Sequence, residues 1–266
     1  MRFSAIAATA VLAFSVAGCG GGGKGGGSAV SGQAIALAAS KSARAGSVEA
    51  DFTISGSGLS GEGSGVFDTG ESRAGQLNMK VHVGGREVPI DTVVSGNILY
   101  MRSPVFSQVI RLPAGKEWVK LDLGRLAQQR GIDLSSLASA SPTPTSALEY
   151  LRGAGKVEKL GSDTVGGVST THYRVRVDLQ RAAARSSGST RVSLQRVIQT
   201  TGVKSLPVQV WIDGKNYIRK VVYSQGSGGG RTVKVSMELH DFGNPVTVKP
   251  PPASEVLDIL KLQGGG

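Results

Sequence analysis

Three histidines, one cysteine, a scatter of carboxylates and two glycine-rich strings are the residues of this 266-residue chain that could do chemistry. His82, His172 and His240 fall on separate polar strand faces, no H-E-x-x-H is present, and no second cysteine exists, so no metal site is expected. The G-x-S-x-G signature of a nucleophile elbow is absent. Glu117, Asp122 and Asp163 show no pairing that spacing can expose. Gly56-Ser57-Gly58-Leu59-Ser60-Gly61 matches G-x-G-x-x-G, but a strand-like run, EGSGVFD, follows it where a dinucleotide site needs a helix; a hairpin is expected instead. Gly18, Gly23 and Lys24 match G-x-x-x-x-G-K, yet Gly25 stands where Ser or Thr should hold magnesium, and no strand leads in. The chain is thus expected to have no catalytic residue, no cofactor and no enzyme activity.

Cys19 is the exception, because its surroundings specify a reaction. Residues 1–18, MRFSAIAATAVLAFSVAG, begin with Arg2 and carry an apolar run from Ala5 to Val16. That run is short of the ~20 residues a transmembrane helix needs. Small residues then lead into the thiol, which is the layout of a cleaved signal peptide. Val16-Ala17-Gly18-Cys19 resembles the bacterial lipobox, in which the cysteine is acylated, with palmitate as one such chain, and becomes the new first residue. The glycine run behind it reads as a tether: ten flexible residues reach roughly 17 Å. Two or more acyl chains on Cys19 would make the attachment stable, since a single chain is marginal. The expected organisation is a signal peptide at 1–18, a lipidated Cys19 with its tether at 19–30, one domain at 31–262 and a tail at 263–266.

The domain must be built mostly of strands. Glycine is heavy at 39 residues, and aromatics are sparse at 5%. Residues 31–45 read as a helix, capped by Ser31 and ended by Gly46. Five stretches then alternate with period two. Val48, Ala50, Phe52 and Ile54 share one face, as do Leu77, Met79, Val81 and Val83. The same holds for Tyr173, Val175 and Val177, for Val208, Val210 and Ile212, and for Val233, Val235, Met237 and Leu239. Gly84-Gly85, Gly96-Asn97, Gly166-Gly167, Asp213-Gly214 and Gly228-Gly229-Gly230 supply turns, so the strands are expected to be antiparallel. Residues 117–138, 146–152 and 179–200 read as helical. The expected fold is α+β: a strongly curved antiparallel sheet, a half-open barrel, with helices over its apolar concave face. Trp211 falls on the polar side of its strand, where packing against a helix or a loop is expected, with a rim contact as the alternative.

The formal charge is +11, and loss of Arg2 leaves +10. Such a chain suits a polyanionic neighbour. Residues 152–220 hold thirteen Lys/Arg against four Asp/Glu. Nucleic acid is excluded by export and by the missing stacking platforms. Anionic headgroups remain, with Arg174, Arg176, Arg181 and Arg185 as their expected contacts.

The blocks "NILYMRSP", "KEWVKLDL", "ALEYLRGAGKVEKLGSDTVGGVSTTHYRVRVDL", "LPVQVWIDGKNYIRKVVY" and "MELHDFGNPVTVKPPPASEV" follow one another in order. Together they resemble the LppX/LprG-type lipoproteins of mycobacteria and their relatives over about residues 31–260. The resemblance implies a fold similar to the LolA/LolB carriers, with an apolar cavity for acylated lipid or lipoglycan. It further implies a monomer, anchored through Cys19 on the extracytoplasmic side of the cell membrane, that ferries lipid across the envelope with an envelope transporter as partner. Phe52, Ile54, Leu77, Met79, Val81, Tyr173, Val175, Val210, Met237 and Leu239 are the expected lining, and 179–205 the expected mobile cover. The alternative is a sensor or scaffold of the same fold with a filled interior. The glycine-rich segments 56–65 and 226–230 depart from the family and would alter the mouth.

Overall fold

A computed structural model describes residues 30–56, 58–70, 74–110, 112–130, 144–186, 188–226 and 232–262. The signal segment, Cys19, all but the last residue of the tether, and the tail lie outside the described residues, as does most of the 226–230 segment.

Helix α1 spans Gly32–Ala43, where the Ser31 side chain accepts a hydrogen bond from the Ala34 N–H at 3.3 Å. Gly46, with φ of +89°, turns the chain out of it. Six strands follow: β1 (Ser47–Gly56), β2 (Leu59–Asp68), β3 (Gly75–Val83), β4 (Arg86–Ser95), β5 (Ile98–Arg102) and β6 (Trp118–Asp122), with the short α2 (Phe106–Val109) before β6. Then come α3 (Leu123–Arg130), α4 (Pro144–Tyr150) and a 3-10 turn, Leu151–Gly153. The second run is β7 (Ala154–Val165), β8 (Val168–Asp178), α5 (Leu179–Arg185), α6 (Gly188–Thr201), β9 (Ser205–Asp213), β10 (Ile218–Gly226) and β11 (Thr232–His240). The short β12 (Val256–Asp258) and α7 (Ile259–Leu262) complete it.

All twelve strands form one sheet in the order β12-β6-β5-β4-β3-β2-β1-β11-β10-β9-β8-β7. Two antiparallel meanders are joined where β1 pairs with β11, and β12 adds in parallel to β6. The predicted two-residue turns are in place at Gly84-Gly85 and Gly166-Gly167, where all four glycines have positive φ. The architecture is α+β, a large and mainly antiparallel sheet with a few helices. Its outermost strands, β12 and β7, are not paired to each other.

The helical reading of 117–138 needs correction: Trp118–Asp122 is a strand, and the helix begins only at Leu123. Trp118 and Val119 are both buried although they point to opposite faces, Trp118 in the cluster of Val93 and Tyr100 closed by Val248 and Val256. Trp118 beside Val119 interrupts the alternation that Val119 and Leu121 keep against Lys120 and Asp122. The 179–200 stretch is two helices, broken after Arg185 at the predicted Ser/Gly interruption.

The main core lies on the face that carries the alternating apolar residues. Ile35, Ala38 and Ala39 of α1, Leu148 of α4, Leu151 of the 3-10 turn, Leu179 and Ala182 of α5 and Leu194 of α6 pack on β8 to β11 and β1. A smaller core sits on the opposite face of the other meander: Val93, Tyr100 and Trp118, closed by Val248 and Val256 from the C-terminal segment.

Candidate functional site: the inner apolar face

Register places the residues of the inner face in rows that cross the sheet. One row runs Tyr173, Val210, Val221, Met237, Phe52, Gly63, Met79 and Ile90. A second runs Val175, Val208, Tyr223, Val235, Ile54, Gly61, Val81 and Val88. A third contains Leu239, Ala50, Gly65 and Leu77. All ten residues expected to line a pocket therefore share one face, and five of them stand in a single row.

The rows are not uniform along their length. Under the helices the face is sealed: Val175 and Val210 are 0% exposed, Leu239 1% and Met237 2%. Side chains with no accessible surface border no space the size of a water molecule. Phe52 and Leu77 are buried at the margin, and the Phe52 and Phe67 rings meet edge to face at 6.0 Å. Beyond that margin Ile54, Met79 and Val81 are half-buried, as are Val88, Ile90, Val94, Leu99, Met101, Leu121 and Leu257. Tyr173 is half-buried at the other end of its row.

Between the sealed and half-buried parts runs β2, which presents Gly61, Gly63 and Gly65 to the inner face. A Cβ on Gly63 would meet the Asn78 carbonyl oxygen and lie 2.7 Å from Met79 Cγ. One on Gly65 would lie 2.9 Å from the Phe67 ring. The strand can only be glycine where its neighbours lean so far over it. The result is a floor of bare backbone walled by Phe52 and Ile54 on one side and by Leu77, Met79 and Val81 on the other.

Among the described residues, the rows of β1 and β8 to β11 place no charged side chain on this face. Burial pushes the Tyr223 phenol up to about 12 and raises that of Tyr150, so both stay neutral. Burial also raises Glu149, and the Arg152 guanidinium at 2.8 Å only partly opposes it.

The four arginines expected to meet anionic headgroups are all exposed. Arg174 pairs with Glu158 at 2.9 Å, both half in water, a contact worth little to stability. Arg185 donates to the Arg152 carbonyl at 3.1 Å.

Trp211 is a packing residue, but against strands rather than a helix or loop. It stacks on His172 at 3.9 Å, contacts Val165 and Val222, and donates to Asp163 at 2.8 Å. That hydrogen bond, with one from the Thr164 N–H, holds the Asp163 carboxyl below its usual range.

Polar spaces open elsewhere. One of about 220 Å³ on the outer face is bordered by Glu49, Asp51, Ser64, Gln76, Asn78 and His240. Another of about 650 Å³ is lined by hydroxyls of Ser162, Thr164, Ser169 and Thr171 at the ends of β7 and β8.

Glu49, His240 and Asp241 bring ligand-type atoms within 4.8 Å of one another. The separate strand faces of the histidines did not reveal this, because Glu49 arrives from β1 by pairing opposite His240. His240 Nδ1 lies 2.7 Å from Asp241 Oδ2, and Nε2 lies 3.2 Å from Asp51 Oδ2. Partial burial pushes the imidazole down, but the hydrogen bond with Asp241 and the attraction of Asp51 outweigh it, and its pKa is raised. Such a group adds stability that is complete below the unfolded value of 6.5 and is lost as pH rises through the folded one. His240→Gln is therefore expected to lower the thermal midpoint at about pH 5.5 and to be close to neutral at about pH 9. An equal loss at both pH values would contradict the ion-pair role.

An apolar sheet face with helices over half of it is a fold that this chain shares with LprF from Mycobacterium bovis, at a TM-score of 0.50 and 15% identity over 83% of this chain and 96% of LprF. The lipoprotein LppX of Mycobacterium tuberculosis is similar at a TM-score of 0.48 and 15% identity, over 82% of this chain and 99% of LppX. At such identity the likeness is one of fold. Among curated proteins, the chain is 27% identical over 158 residues to an uncharacterized 31.2 kDa protein encoded in the rplA-rplJ intergenic region of Streptomyces griseus. The match takes in 57% of this chain, and the chain spans about half, 52%, of that relative's length. No model of a known protein family matches the chain.

Proposed function

We propose that this chain is a membrane-anchored lipoprotein on the extracytoplasmic side. In this reading it binds acylated lipid or lipoglycan on its inner apolar face and carries it across the cell envelope. Residues 1–18 are the signal peptide, Cys19 the acylated residue, 19–30 the tether, 31–262 the carrier domain and 263–266 a tail. The observation that carries this reading is the row from Phe52 across Gly63 to Met79 and Ile90. There a face that is sealed under helices continues, over a glycine floor, into half-buried apolar side chains.

Hydrocarbon is the natural occupant of such a surface. Each methylene taken out of water contributes ~0.8 kcal/mol, so a 16-carbon tail brings on the order of 12 kcal/mol before ordering costs. No bond is made or broken. The sheet curls around the tail as a half-open barrel, and Ile54, Met79 and Val81 touch it first. Val175, Val210, Met237 and Leu239 become lining only when helices over them lift, with 179–205 as the moving cover. Arg174, Arg176, Arg181 and Arg185 lie exposed outside the inner face, where they meet anionic headgroups rather than the tail.

The packed half of the interior favours a second reading, a sensor or scaffold of the same fold. Native mass spectrometry of the unanchored protein from its own host, followed by lipid extraction, separates the two. The carrier arrives with acyl lipid; the scaffold arrives bare.

A further inference from the structure

The tether and a cluster of unpaired cations leave the domain at the same end. Gly32 opens α1 against the start of β7: a Cβ there would run into the Ala154 carbonyl oxygen and lie 2.7 Å from that of Gly155. A Cβ on Gly155 would in turn lie 3.2 Å from the Arg176 carbonyl oxygen and 3.9 Å from Arg181 Nη1. The Leu179 N–H donates to the Lys204 carbonyl at 3.0 Å, which brings Lys204 to this end as well. Lys156, Arg176, Arg181 and Lys204 are all exposed. The nearby carboxylates are already engaged. Glu158 is bound to Arg174 and Glu149 to Arg152, while Asp178 accepts from the Arg181 N–H at 2.9 Å as the cap of α5. None of the four cations has a carboxylate partner among the described residues.

Cys19 lies thirteen residues before Gly32. A glycine-rich segment of that length has a root-mean-square reach of about 20 Å. An anchor at Cys19 puts this end of the domain within reach of the headgroups, where cations are drawn to anionic lipid within about 8 Å.

We propose that this cationic end docks the domain onto an anionic lipid surface, the leaflet that holds its own anchor. The inference rests on the acylated-Cys19 reading for its orientation, and on Lys156, Arg176, Arg181 and Lys204 for its affinity. Docking of this kind turns a tethered domain into an oriented one.

The test uses the chain from Gly20, because the whole described sheet and core lie within residues 30–262. Its partitioning is measured onto vesicles of three parts phosphatidylcholine to one part phosphatidylglycerol, and onto phosphatidylcholine alone. Arg176→Glu with Arg181→Glu is expected to lower binding to the anionic vesicles by about tenfold or more. Lys80→Glu with Lys215→Glu, the same change in net charge away from this end, is expected to lower it less than about threefold. Equal losses in the two pairs, or equal binding to both vesicle types, overturn the proposal. The mass of Cys19 in the full-length protein from its host is read separately: an unmodified thiol sinks the anchor while leaving the vesicle result to judge the patch.

Discussion

Met79→Asp is expected to give a folded protein that no longer takes up lipid. Met79 is half-buried, so a carboxylate there can reach water in the empty protein and folding loses little. It also stands opposite Gly63 and Ile90, in the middle of the row proposed to touch hydrocarbon. An acyl chain laid over it would strip water from an unpaired charge, which costs several kcal/mol. Uptake should fall by about a hundredfold or more, read by native mass spectrometry, with thermal melting confirming the fold. Val210→Asp marks the contrast. Val210 has no accessible surface, and an unpaired charge there costs about 3–5 kcal/mol of a stability that is itself about 5–15. Normal loading of folded Met79→Asp would remove this row from the lining.

A disulfide tying α6 to the strands beneath it is expected to slow lipid exchange by about tenfold or more, with reduction restoring the rate. Leu194 of α6 is 1% exposed, and Val197 and Ile198 pack against the same core. Lipid that reaches Val175, Val210, Met237 or Leu239 must displace part of the helical cover, of which α6 is the part proposed to move. The new cysteines need Cα atoms about 4.4–6.8 Å apart, so that the cross-link adds no strain of its own. An unchanged exchange rate in the oxidised protein would show that 179–205 is not the cover, and that lipid stays on the half-buried strands.

The inner face was legible wherever a strand is wet on one side. Strict alternation in β1, β3, β8, β9 and β11 placed Phe52, Met79, Tyr173, Val210 and Met237 on one face, and register then aligned them. Three features were not legible. In β6 the apolar Trp118 beside Val119 breaks a short alternation, and the helical pattern that starts at Leu123 runs straight on from it. The glycines of β2 signal bending from sequence, but only pairing with Phe52 and Met79 shows that they form a floor. The Glu49, His240 and Asp241 cluster depends on β1 meeting β11, a contact between opposite ends of the chain. Which half of the face is sealed was also hidden, because helix packing is set by tertiary contacts that composition does not encode.

Everything functional in this account depends on hydrocarbon sheltering against the strands from β1 to β6. The direct measurement is the intact mass of the unanchored chain, purified natively from its own host, before and after denaturing extraction. Bound mass released as acylated lipid is expected, with its loss in Met79→Asp. A bare wild-type protein that also fails to take up added acyl lipid, with α6 free to move, would contradict it.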